Sequence, residues 1–162
     1  MKEILDKITS YNLFNYLLPG VLFVAILDKL TVYSFVQENV AIGAFVYYFI
    51  GLVISRFGSL VVEPILKKVS FLKFASYADF VSASKKDASI EAFSEVNNMY
   101  RTFVAMFALL ILLKFCELLT VRFPILSEWS SSILVVMLLV MFLSSYRKQT
   151  QYITKRIGVA KD

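Results

Sequence analysis

The sequence of 162 residues has no histidine, one cysteine, three prolines and five glycines, and only 18% of its residues are charged. Each shortage excludes something. Without histidine and with a single thiol, the common zinc and haem ligand sets and the Cys–His and Ser–His–Asp arrangements cannot be assembled. The lone Cys116 allows no internal disulfide, so nothing points to a stapled extracellular domain. No GxxxxGK[ST] or GxGxxG stretch occurs, which removes nucleotide binding by those loops. Dense Asp/Glu clusters are missing too. The chain therefore reads as a non-enzyme with no cofactor, no metal and no catalytic residue.

What is present is apolar: 59% of the chain, with 15 Phe and 9 Tyr. The excess falls into four long stretches, Ile8–Leu27, Asn39–Ser55, Thr102–Leu119 (broken only by Lys114 and Glu117) and Trp129–Tyr146. Crossing a hydrocarbon layer of about 30 Å takes around 20 helical residues, with a lower limit near 17. A soluble bundle of this size could not hide four such helices from water. The expected fold is an all-α integral membrane protein with four transmembrane helices, at about residues 11–28, 38–56, 101–119 and 129–146.

Charge sets the expected orientation. Of the 17 Lys and Arg, all but Lys29, Lys114 and Arg122 lie before the first span, between spans two and three, or after the fourth. By the positive-inside rule the N-terminus, a helical loop 57–100 and the tail 147–162 face the cytoplasm. That asymmetry also accounts for the basic pI, so no direct nucleic-acid binding is expected. Glu3 and Asp6 are out of place in a signal-peptide n-region, and no small-x-small site follows the run, so span one reads as a retained anchor. No lipidation motif is visible.

Along the chain, residues 1–9 read as a short amphipathic helix on the inner membrane surface, and Ser10 or Asn12 can cap the helix that follows. Pro64 biases Glu63 away from helix and breaks Phe57–Phe74, whose mixture of aliphatic, aromatic and lysine residues suits the headgroup layer. Ser84-Lys85-Lys86-Asp87 resembles a capping box; from near residue 86 a cytoplasmic helix carrying Ile90, Phe93, Val96 and Tyr100 at helical spacing is expected to lead into span three. Pro124 and Trp129 mark the outer turn, and the basic tail is expected to be mobile at its end.

Three constellations are singled out. In YNLFNYLLPG, Asn12, Asn15 and Pro19 share one side of a helix, and Pro19 cannot donate to the carbonyl of Asn15. That side must face protein or a wet cleft, with Gly20 allowing close approach or relieving the kink; the plainer alternative is a kink that sets the angle of entry. Gly51, Ser55 and Ser59 recur every four residues, a small-xxx-small helix-packing pattern. Lys114 and Glu117 lie one turn apart and deep in span three. They form either a polar point facing the bundle interior, with Asp28 in reach, or an ion pair at the outer interface.

Three functional classes fit. A membrane subunit that docks a soluble cytoplasmic partner would depend on Lys67, Lys68, Lys85, Lys86 and the Ile90/Phe93 stripe. A holin-like pore would depend on Asn12, Asn15, Lys114 and Glu117. A small transporter fits poorly, for lack of repeat symmetry and buried carboxylates. The large basic loop favours docking by a homo-oligomer held in the bilayer. The stretch YNLFNYLLPG at the head of a compact four-span protein also resembles small inner-membrane proteins of bacterial anti-phage defence loci, in particular the membrane subunit of the Kiwa system. That resemblance implies an oligomeric inner-membrane sensor that holds a soluble, DNA-binding partner at its cytoplasmic face.

Overall fold

The computed structural model describes residues 12–123 and 125–161. The expected amphipathic helix 1–9, Ser10 as a cap, and Pro124 lie outside them. Five helices follow one another: α1 (Leu13–Leu30), α2 (Val40–Lys68), α3 (Tyr77–Lys86), α4 (Ser89–Arg122) and α5 (Ile125–Lys161). Among the described residues there is no strand. Helices α1, α2, α4 and α5 are long and apolar enough to cross a membrane.

Their ends are set by local chemistry. Asn39 starts α2, its Oδ1 accepting from the amides of Ala41 (2.9 Å) and Ile42 (3.1 Å). Ser76 starts α3 by accepting from the amide of Asp79. Asp87 starts α4, its carboxylate accepting from both the amide and the hydroxyl of Ser89. Those two bonds favour the ionised form and hold Asp87 below the ordinary carboxylate range. Ser84 is not a cap: it lies inside α3, with its hydroxyl turned back to the carbonyl of Val81. The helix that leads into span three starts at Ser89, close to the expected residue 86. Asn12 makes no capping bond.

The core joins three helices: Phe23, Val24 and Leu27 of α1, Ile54 of α2, and Ala105, Met106 and Leu110 of α4. Helices α1 and α2 meet through a reciprocal pair of tyrosine–glycine steps. Gly20 sits on the backbone carbonyl of Tyr47, and Gly51 sits on that of Tyr16, so closely that a β-carbon on either glycine would overlap the opposing carbonyl. Each tyrosine lies four residues before the glycine of its own helix, as a local two-fold between antiparallel helices requires. Gly58 makes a similar but looser approach to Arg101 and Ala105 of α4.

Helix α5 stands apart. It stacks Phe142 on Phe49 (6.1 Å between ring centroids) and sets Tyr152 against Tyr77 of α3 (6.0 Å). Most of its apolar residues, including Ile133, Val136, Leu139 and Leu143, remain exposed. The basic tail is helical: α5 continues unbroken through 147–161.

Two helices contain a turn wider than the α-helical one. At Leu13–Leu17 the amide of Leu18 reaches the carbonyl of Leu13, and at Gly58–Val62 the amide of Glu63 reaches that of Gly58, each five residues back. In both places a proline follows at once, Pro19 and Pro64. The expectation that Pro64 ends the helix is therefore overturned. Proline is tolerated because the widened register has already rearranged the hydrogen bonds it would have broken, and α2 runs on to Lys68.

Candidate functional site

The ends of α1 and α4 that come first in the chain, and the ends of α2 and α5 that come last, meet at one end of the bundle. The bonds and ion pairs of Arg56, Glu63, Lys67, Arg101 and Lys148 lie there, and we call it the basic end. Its geometry starts from Pro64. In the wide register its missing amide would have served the carbonyl of Ser59. Lys148 of α5 takes that place, donating from Nζ to both the carbonyl and the hydroxyl of Ser59 at 2.7 Å. A buried carbonyl without a donor is costly, so this bond ties α5 to α2 where the backbone needs it.

Glu63 follows the wide turn and is only 8% exposed. Its Oε1 lies 2.7 Å from Lys67 Nζ and its Oε2 lies 2.8 Å from Arg101 Nη1. A carboxylate that far from water is sustained only by such charged donors. Lys67 also lies 4.1 Å from the centre of the Phe74 ring, which folds the connector after α2 back on the helix. Arg56 reaches the hydroxyl of Tyr16 at 3.4 Å. Three cations, Lys67, Arg101 and Lys148, thus act on one carboxylate, and Arg56 joins Lys67 and Arg101 in acting on Lys148.

Sequence reasoning missed this cluster. Lys148 counted only as a tail charge and Glu63 only as the residue before a proline. A usable signal existed: Glu63 is the one acid between Glu38 and Asp79, and it stands four residues before Lys67.

The residues singled out from sequence divide between places. Asn15, Pro19, Gly20, Gly51 and Ser55 are buried in the α1–α2 contact, and Asn12 is half-buried beside it. Lys114 and Glu117 pair at 2.9 Å within α4, but the Lys114 side chain is 47% exposed. Lys114 therefore does not face the bundle interior, and Asp28 instead accepts a bond from Ser34. An (i, i+3) partner on the same helix is nearer than any neighbouring span, and together the two reduce the cost of a charge on the outer surface. Asn12 and Asn15 lie near the start of α1 and Lys114 far along α4, so a single chain does not bring the polar points expected of a pore together. Of the docking residues, Lys67 is engaged by Glu63. Lys68, Lys85, Lys86 and Phe93 are exposed and Ile90 is half-buried.

Fold and site define a multi-pass helical membrane bundle with a buried ionic cluster at one end. No protein-family model, curated protein or solved structure matches the chain.

Proposed function

We propose that the protein is an oligomeric subunit of the bacterial inner membrane that anchors and regulates a soluble cytoplasmic partner, with its basic end facing the cytoplasm, in anti-phage defence. One observation carries the docking reading. Helix α4 has 34 residues and α5 has 37, roughly 50 and 55 Å at the α-helical rise, against about 30 Å of hydrocarbon. Their surplus lies at the basic end, beside α3. There α4 presents Phe93 (69% exposed), Val96 and Tyr100 next to Lys85 and Lys86. Large apolar side chains interleaved with cations beyond the membrane layer make a surface suited to an acidic protein partner.

The test is co-purification of the tagged chain from its host's membranes in mild detergent. A stoichiometric soluble companion is expected with the wild type. It should be lost from a Lys68→Glu, Lys85→Glu, Lys86→Glu, Phe93→Ser variant that still inserts. Lys67 is left intact because its charge supports Glu63. A bare oligomer from wild-type membranes, or an undiminished companion with the variant, would sink the reading.

A further inference from the structure

Between α2 and α5 at the basic end lies a cleft of about 30 Å³, walled by Arg56, Ser59, Leu60, Ser145, Lys148, Gln149 and Tyr152. Among the described residues, neither Arg56 nor Lys148 lies within ion-pair distance of a carboxylate, and Glu63 acts on Lys148 only from further off. Two donors of the same layer, Ser145 Oγ and Arg101 Nε, are buried without a hydrogen-bond partner. The single carboxylate nearby, Glu63, is already occupied by Lys67 and Arg101. The cleft thus gathers donors from two helices and more positive charge than the one nearby carboxylate balances.

We propose that this cleft binds a phosphate group, with Arg56 and Lys148 as the charged donors and Ser145 as the neutral one. A phosphate offers several acceptor oxygens in the tetrahedral spread that donors from two helices can share. A volume of about 30 Å³ holds one or two oxygens of water size. The edge of the phosphate enters, and whatever it is esterified to stays outside. Leu60 and Tyr152 supply apolar wall, and on the same two helices Val61, Ile65 and Leu143 are exposed. An anionic phospholipid can lay its chains there with its headgroup turned into the cleft. A free phosphate ion would use the same donors without those chains. The inference does not depend on the existence of a soluble partner.

The experiment is native mass spectrometry of the full chain in detergent, titrated with three probes. These are phosphatidylglycerol, a diacylglycerol of the same chains, and inorganic phosphate. Phosphatidylglycerol should bind at least tenfold more tightly than diacylglycerol. Arg56→Gln and Lys148→Gln should each weaken it roughly tenfold, the value of one charge-assisted hydrogen bond, and Lys73→Gln, exposed in the connector after α2 and not lining the cleft, should leave it unchanged. Lys148 also serves the Ser59 carbonyl, whereas among the described residues Arg56 makes only one long bond, to Tyr16 at 3.4 Å, so Arg56→Gln with its melting temperature measured alongside is the variant that separates binding from folding. Inorganic phosphate bound with the same dependence on Arg56, and no preference between the two lipids, would support the site and assign it to the free ion. Equal retention of both lipids with no phosphate binding, or wild-type binding by both variants, overturns the proposal.

Discussion

The backbone carbonyl of Tyr47 occupies the space that a β-carbon on Gly20 would fill, and the carbonyl of Tyr16 does the same to Gly51. Neither obstacle is a flexible side-chain tip; both are backbone held by their own helix. Gly20→Ala and Gly51→Ala should each cost about 3 kcal/mol, the upper part of the range for overpacking, because the helices must separate. Gly158→Ala, where a β-carbon meets nothing within 4 Å, should be neutral or stabilising by up to about 1 kcal/mol. Thermal unfolding in detergent compares the three; similar melting temperatures for Gly20→Ala and Gly158→Ala would rule out the tight contact.

Glu63 is the hub of the basic end. Glu63→Gln keeps the shape but leaves Arg101 half-buried and Lys67 beside it without a counter-charge. A loss of about 2–3 kcal/mol is expected, within the range for breaking a buried pair from one side, and melting should fall by about 5 °C or more. Lys67→Gln removes the more exposed partner and should cost less than half as much. Equal effects from the two would mean that Glu63 is better hydrated than its burial implies.

Lys148 and Pro64 should be coupled although they lie on different helices. Lys148→Met strips the Ser59 carbonyl of its donor, and Pro64→Ala gives the backbone back an amide. The double variant should recover about 1 kcal/mol relative to the sum of the singles, one hydrogen bond's worth. Strict additivity in a double-mutant cycle would show that the lysine bond does not replace the missing amide.

Orientation can be read with single cysteines. In a Cys116→Ala background, Ser82→Cys on exposed α3 should be shielded from a membrane-impermeant maleimide in intact cells and react after lysis. Glu38→Cys, in the connector between α1 and α2, should react in intact cells. The opposite pattern would invert the proposed topology, because the charge bias is the sole basis for it.

The gross architecture was legible because hydrocarbon imposes a simple length rule, and four apolar stretches of Phe, Leu, Ile and Val met it. Gly51 and Ser55 were legible as packing positions for a similar reason: small residues at four-residue spacing have few other uses inside a span. The partner of Gly51 was not. That Tyr16 and Gly20 mirror Tyr47 and Gly51 depends on how two helices face each other, which spacing within one helix does not encode. The ionic cluster stayed hidden for a related reason. Glu63 and Arg101 lie 38 residues apart and Ser59 and Lys148 lie 89 apart, with no local periodicity to join them. Pro64 misled because a proline usually ends a helix, and the wide turn before it that removes the penalty leaves no plain mark in composition.

That wide turn has a geometric result of its own. Residues 51, 55, 59 and 63 recur every four, but an α-helix advances about 100° per residue, so such a series slips roughly 40° around the axis at each repeat. Over the twelve residues from Gly51 to Glu63 the slip would come to roughly 120°, enough to swing the carboxylate out of the bundle. A turn holding an extra residue takes up part of that phase error between Ser59 and Glu63, so the line of small residues that seats α1 and the carboxylate that grips α4 stay on one buried edge. Deleting one residue between Gly58 and Val62 would leave α2 only one residue shorter and still apolar, but with its charge pointing at the wrong neighbour.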